Sequence, residues 1–440
     1  MRVSGLLAYN LWLALRNIRR NIVLSILMVA AIGIGIGASM SMVTVNYRFQ
    51  SNPIPEKSDV LHYVRLDNWD PNSENGDPPN QLTYLDATAL LRAKRAYREA
   101  AMSEARMAVV PPDREQRPFF AGARATSADF FPMFDAPFEF GGGWTAAEDD
   151  GAEQVVVLSA PMNDRLFGGE NSVGRTLRLA NGDYRVVGVL EDWDLTLRFW
   201  DIANSGPGGP IEDVFIPWSL IVANELQRQG NTNCWKPVEG SGLPAFLNSE
   251  CVWIQYWAEV RTEAERQDYQ AFLDAYVTDQ KELGRFPRPL DNRVTPLMDW
   301  IEEAGGTPNE AQVLLGLSIL FLAVCLLNTL GMLLAKFLGK ASEIGIRRAL
   351  GASRARLMQQ YLVEAGIIGI AGGVLGIALT WAGLRGIDGL INEDLGNFLS
   401  IDWKMALAAI GLAILATLIT SIYPTWRACS VQPAVYLKSN

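Results

Sequence analysis

Four runs of apolar residues, at 22–45, 311–335, 357–380 and 404–423, decide what this chain can fold into. About 20 apolar residues in helix cross a hydrocarbon core, and a helix satisfies its own backbone polar groups in lipid. Each run meets that length. The first begins after about twenty residues, and its apolar stretch exceeds the roughly 7 to 15 residues of a cleaved leader. It reads as a retained anchor.

Basic residues orient the runs. Arg2, Arg16, Arg19 and Arg20 precede the first run with no acid among them. Lys336, Lys340, Arg347, Arg348, Arg354 and Arg356 lie between the second and third against Glu343 alone, and Arg427 and Lys438 follow the last. Lys and Arg near span ends mark the cytoplasmic side, so both termini and the 336–356 connection are expected inside. The loop with Asp388, Glu393, Asp394 and Asp402 then faces out. Residues 46–310 hold 24 Lys and Arg against 42 Asp and Glu, a surplus of 18 negative charges. An exterior domain that acidic argues against nucleic acid and against lying on anionic lipid.

The fold class expected is an α-helical membrane protein with four transmembrane helices and a large mixed α/β domain inserted between helices 1 and 2. Residues 1–21 form an amphipathic interfacial helix with Leu7, Leu11, Leu15 and Ile18 on one face. Spans follow at 22–45, 311–335, 357–380 and 404–423, the last ending at Pro424. The exterior domain occupies 46–310, the cytoplasmic connection 336–356, a short outer loop 381–403 and an inner tail 424–440. Gly33 with Gly37, Gly369 with Gly373, and Gly372 with Gly376 are spaced for close helix packing.

Within the exterior domain, strands are expected at 60–66, 154–159 and 252–260, and helices at 82–100, 162–167 and 262–282. Thr176–Leu179 and the run from Tyr184 flank Asn181-Gly182, a two-residue hairpin signal. Residues 203–211 and 229–250 read as loops. Cys234 and Cys251, 17 positions apart, lie where thiols oxidise, so a disulfide is expected, with two buried thiols as the alternative. Cys325 falls in the second span and Cys429 just inside the membrane.

Catalytic chemistry is missing from the pattern. No phosphate-binding loop occurs, because Gly339-Lys340 is followed by Ala341 and lacks the upstream glycine. No nucleophile elbow is present, and His62 is the sole histidine, which argues against His-rich zinc sites and His-ligated haem. Asp149-Asp150 and Glu302-Glu303 are ordinary in so acidic a domain. No catalytic residue and no metal site are assigned. Glu364 is the one ionisable residue well inside a span, which marks it as a functional candidate, or as a group that pairs with a local arginine or sits in the interface.

The connection from Ala341 to Ser353 carries more pattern than a turn requires. Glu343, Arg347 and Arg348 offer charge to a partner, while Ile344, Ile346 and Leu350 anchor the segment to lipid or to the spans. Gly351 suits a helix C-terminus and Ser353 the cap of the next helix. A headgroup anchor obeying the positive-inside rule is the plainer reading.

The run Glu343-Ile-Gly-Ile-Arg-Arg-Ala-Leu-Gly-Ala, followed by 357–376 with Glu364 and its glycines, resembles the permease domain shared by MacB-like macrolide exporters and FtsX-like ABC transporter subunits. Tyr423-Pro-Thr-Trp-Arg-Ala and the 431–437 ending are similar to that family's C-terminus, and 125–190 to its periplasmic domain, with an insert at about 130–250. Residues 191–258 depart from the pattern. The resemblance implies a bacterial inner-membrane, multi-pass subunit. A second permease copy or a paralogue would stand beside it, with a cytoplasmic ABC ATPase dimer below. A periplasmic adaptor is a further possible partner, and lipid surrounds the spans. ATP and Mg would be bound by the ATPase and no cofactor by this chain. Glu343, Ile344, Arg347, Arg348, Ala349, Leu350 and Gly351 would form the ATPase-coupling element. Motion of the periplasmic domain would then export a compound or lipid-linked cargo. An FtsX-type regulator of a cell-wall hydrolase is one alternative, and a membrane-anchored enzyme or sensor another.

Overall fold

The computed structural model describes residues 3–73, 76–113, 115–180, 182–193, 198–205, 211–226, 228–305, 309–391 and 403–430. The chain divides into two units, Met1–Arg48 with Thr307–Asn440, and Phe49–Gly306.

The first unit is helical: α1 (Val3–Arg20), α2 (Ile22–Gln50), α3 (Asn309–Leu338), α4 (Ala341–Ala349), α5 (Arg354–Ile391) and α6 (Trp403–Cys429). Ile22–Tyr47, Gln312–Leu338, Arg354–Gly386 and Trp403–Cys429 are each long and apolar enough to cross a membrane. Two ends differ from the sequence reading. α5 runs to Ile391, into the stretch expected as an outer loop; the rest of that stretch, with Glu393, Asp394 and Asp402, lies outside the described residues, as does 431–440 with Lys438. Pro424 lies inside α6 rather than ending it. A proline removes one donor, which membrane helices tolerate. The carbonyl that loses its donor is that of Thr420, and the helix continues past the proline to Cys429.

Glycines let α5 approach two neighbours on two faces. A Cβ on Gly372 or Gly376 would lie 2.6 or 2.7 Å from Ile32 or Ile36 of α2, and one on Gly33 or Gly37 would meet Leu375 or Leu379 at 2.7 or 2.8 Å. On the other face, Gly369 and Gly373 abut Thr417 and Ala413 of α6, at 2.9 and 3.1 Å. The i, i+4 spacing of each pair produces one stripe per neighbour. Outward-facing Val23, Ile26, Leu320, Leu327, Leu415 and Ile419 remain exposed, which suits a lipid solvent.

The second unit is α/β. Its strands are β1 (Leu61–Arg65), β2 (Leu82–Thr83), β3 (Arg98–Val110), β4 (Phe119–Thr126), β5 (Phe138–Gly141), β6 (Val155–Leu158), β7 (Thr176–Leu179), β8 (Gly182–Leu190), β9 (Val214–Pro217), β10 (Asn233–Cys234), β11 (Cys251–Glu259) and β12 (Arg293–Pro296). They form a sheet in the order β12-β1-β11-β3-β4-β9-β6-β8-β5, with β2 and β10 on β11 and β7 bridging β3 and β8. Pairing is antiparallel except β4 with β9 and β6 with β8. Successive side chains of a strand point to opposite faces, and both faces here are covered. Tyr256 and Ala258 of β11 enter one core, with Leu273 and Val277 of the helix Glu263–Glu282. Trp257 between them enters the other, with Tyr63, Phe134, Trp200 and Trp300.

The longest hairpin, β3 with β4, escapes the sequence reading, and 82–100 holds a helix only over Tyr84–Ala93. β3 reads Arg-Glu-Ala-Ala-Met-Ser-Glu-Ala-Arg-Met, residues of good helix propensity; pairing on both sides overrides it. The stretches read as loops also contain short elements, Ile202–Ser205, β10 and Gly242–Leu247. The hairpin β7–β8 forms where Asn181-Gly182 suggested it, although Asn181 lies outside the described residues.

Candidate functional site

α4 is a two-turn amphipathic helix whose ends are set by local chemistry. At its C-terminus Gly351 has φ +96°, a left-handed conformation that costs glycine little. The Gly351 amide donates to Arg348 O at 3.1 Å and the Ala352 amide to Arg347 O at 3.0 Å, a Schellman closure that stops the helix. Ser353 then caps α5, its Oγ accepting from the Arg356 amide at 3.3 Å. The connection is therefore a rigid helix between two tight joints.

Its residues divide between anchoring and display. Ile344 is buried. Arg347 pairs with Glu343 one turn back at 2.6 Å and donates to Gln360 Oε1 of α5 at 3.2 Å. Arg348 donates to the Cys429 carbonyl at the end of α6. Ile346 and Leu350 point away and are 51% and 82% exposed. Three of the seven predicted coupling residues, Ile344, Arg347 and Arg348, thus fasten α4 to the spans, and the exposed aliphatics form its outer face. Ala349 and Gly351 belong to its closing turn.

Glu364, the membrane acid, is fully buried and pairs with Lys336 Nζ of α3 at 2.7 Å. Its other oxygen accepts from Asn17 Nδ2 of α1 at 3.2 Å, and Lys336 donates to Ser25 Oγ of α2 at 3.1 Å. Four helices therefore meet at one ionic node. Sequence reasoning flagged Glu364 but counted Lys336 only as an orientation signal and missed Asn17 and Ser25. Lys340, in the joint between α3 and α4, buries its Nζ with no hydrogen-bond partner among the described residues. Burial pulls its ammonium below the usual lysine range, against the raising influence of Glu364.

The second unit places the remaining candidates. Cys234 and Cys251 are opposed across β10–β11 and joined as a disulfide. Arg124 of β4 is fully buried, donating from Nε to Glu212 at 2.5 Å and from Nη2 to Asp201 at 2.7 Å, with Arg198 also on Glu212 and on Glu104. Glu104, Asp201 and Glu212 lie close enough to hold a cation, but the two guanidinium groups already balance two of their three charges. His62 is buried with Nδ1 at 3.1 Å from Val60 O. Asp149 accepts from the amides of Ala128 and Ser219, and Glu303 pairs with Arg65. These carboxylates fasten loops and strands. A polar cleft of about 540 Å³ opens between Trp69, Asn80, Gln81, Asn233 and Arg293.

Residues 25–271 match the MacB-like periplasmic core domain, and residues 315–433 the FtsX-like permease C-terminal region. The chain is 24% identical over 386 residues to the macrolide export ATP-binding/permease protein MacB of Syntrophobacter fumaroxidans, covering 81% of this chain and 52% of that protein. It is 24% identical over 323 residues to the pyoverdine export ATP-binding/permease protein PvdT of Pseudomonas aeruginosa, covering 73% and 42%. The chain thus spans about half the length of the curated relatives it matches. Among solved structures, the periplasmic region of MacB from Actinobacillus actinomycetemcomitans aligns with 15% identity and a TM-score of 0.37, over 58% of this chain and 97% of that one.

Proposed function

The chain belongs to the MacB-like permease family of ABC transporters, and from that premise we propose that it converts ATP hydrolysis by a cytoplasmic ABC ATPase into motion of its exterior domain. The observation carrying this reading is the construction of α4. Two tight joints hold it, Ile344, Arg347 and Arg348 tie it to the spans, and Ile346 and Leu350 remain presented outward. A partner that pushes on such a helix moves α3 and α5 with it. Both termini and α4 lie in the cytoplasm in this reading, and residues 49–306 outside the inner membrane.

Export of a compound or lipid-linked cargo is the function that fits best. The spans offer apolar packing stripes and, among the described residues, one buried acid held by Lys336 and Asn17, which suits force transmission better than an aqueous path. MacB and PvdT are named for macrolide and pyoverdine export, and the cargo proposed here is of that broad kind, handled by the exterior domain. A second permease copy or a paralogue completes the assembly, with an adaptor outside and ATP and Mg held by the ATPase.

The test is Leu350→Asp, a change at a side chain that is 82% exposed. The expected result is loss of the co-purifying ATP-hydrolysing partner and of its stimulation, with the melting temperature of the permease unchanged. Retained association and full stimulation in L350D, and again in Ile346→Asp, would refute docking at α4.

A further inference from the structure

α3 carries a second regular face besides the one it packs with. Leu317, Phe321, Val324, Asn328, Gly331 and Ala335 follow one another at alternating steps of four and three residues, and all six are exposed. A stripe with a period of 3.5 residues is the seam of a left-handed helix pair. The buried face of α3, with Leu322, Cys325 and Thr329, lies one residue, about 100°, round the helix from it. Asn328 interrupts this apolar seam. It sits about 15 Å along the axis from the end of the span at Leu338, near the middle of a hydrocarbon core about 30 Å thick. Its amide makes no hydrogen bond to any described residue, whereas Thr329, Thr380 and Thr417 each donate to a carbonyl of their own helix. An amide facing lipid finds neither water nor partner there, which is unfavourable.

We infer that this stripe is the surface on which a second, identical copy of the chain packs, α3 against α3, with the two Asn328 amides hydrogen-bonded to each other. Complementarity selects the occupant. Two copies inserted the same way are related by a two-fold axis along the membrane normal, which brings the same residue of each to one depth. The asparagine amide carries two donors and an acceptor, so the two side chains satisfy each other. A single polar position in an otherwise apolar seam also fixes register and partner number. Gly331, where a Cβ would meet nothing within 4 Å, and Ala335 are small, which lets two backbones approach. Leu320 and Leu327 are exposed outside the stripe and face lipid. The inference rests on the second copy called for above and deepens it, by naming the surface and choosing an identical chain over a paralogue. Docking at α4 is not needed for it.

The experiment is disulfide trapping of the full chain in membranes, in a background with Cys325→Ala and Cys429→Ala. Phe321→Cys and Val324→Cys should each give a cross-linked dimer under mild oxidant. Ile319→Cys and Ala323→Cys, exposed on other sides of α3, should give at least about fivefold less. Adding Asn328→Leu to V324C should lower the yield at least about threefold, and Asn328→Gln, which keeps an amide, should retain most of it. Equal yields at all four positions, or a V324C yield that N328L leaves unchanged, would overturn the pairing. Energy transfer between donor-tagged and acceptor-tagged copies needs no cysteine change, and so decides the matter even where the cysteine-free background fails to fold. It should be present in the natural chain and at least about threefold weaker in N328L; transfer that N328L leaves unchanged counts against the pairing. Transfer without trapping on the stripe overturns the surface and leaves a second copy bound elsewhere. Transfer only to a co-expressed paralogous permease overturns the identical copy and leaves the assembly standing, while no transfer to either removes both.

Discussion

Lys336 of α3 and Glu364 of α5 face each other at 2.7 Å with both side chains fully buried. Neither could be buried alone at that depth, so the pair fixes which faces of the two spans meet. Removing one partner strands the other, which costs about 3–5 kcal/mol in comparable buried pairs. Glu364→Ala should therefore lower the unfolding midpoint of the solubilised chain sharply. Asn17→Ala, which removes a single hydrogen bond to the same carboxylate, should cost only about 1–3 kcal/mol. Equal losses from the two variants would show that the ion pair is not the principal term.

The glycine stripes of α5 make a sharper packing prediction. Gly372→Ala would put a methyl 2.6 Å from Ile32 Cγ2, whereas a Cβ on Gly331 of α3 would meet nothing within 4 Å. Overpacking of that kind costs about 1–3 kcal/mol, while G331A should be neutral or mildly stabilising through helix propensity. Thermal unfolding of the two single variants checks the contrast.

The disulfide predicts a redox dependence of the second unit. Cys234 and Cys251 close a loop with a sequence separation of 17, and a cross-link of that span contributes about 3 kcal/mol by restricting the unfolded chain. Cys234→Ser with Cys251→Ser should lower stability by that order, and reductant should then have no further effect. Cys325 and Cys429 stay free, so a reductant effect persisting in the double variant would point elsewhere.

Much of this architecture was legible because the membrane makes simple demands. Apolar length locates the spans, lysines and arginines suggest their orientation, and Gly351 and Ser353 mark where α4 stops and α5 starts. Local signals failed where tertiary pairing decides the outcome. The alanine-rich β3 looks helical until β4 and β11 are set beside it. Pro424 looks terminal, yet α6 runs past it to Cys429. The ionic node is illegible for a related reason. Asn17, Ser25, Lys336 and Glu364 are separated by up to 347 positions in the chain, and no spacing rule joins four helices that meet only through packing.

Glu99 gives the second unit a pH dependence of definite sign. Its carboxyl lies in the core beside Tyr269, whose hydroxyl donates to it at 2.9 Å, and burial pushes its pKa up to about 7. A carboxyl whose folded pKa is raised binds its proton more tightly in the native state than in the unfolded one. Its contribution to stability is therefore complete below the unfolded value near pH 4.5 and is lost as pH climbs toward 7. Asp67 and Asp149, each raised to about 6 chiefly by burial, act in the same direction. Glu99→Gln keeps the side chain's shape and abolishes the titration. Relative to the natural chain, E99Q should gain stability from pH 5 to pH 8, by at most about 3 kcal/mol. Denaturant unfolding of both chains at the two pH values measures this, and a difference that stays constant between them would mean that Glu99 is ionised in the folded state throughout.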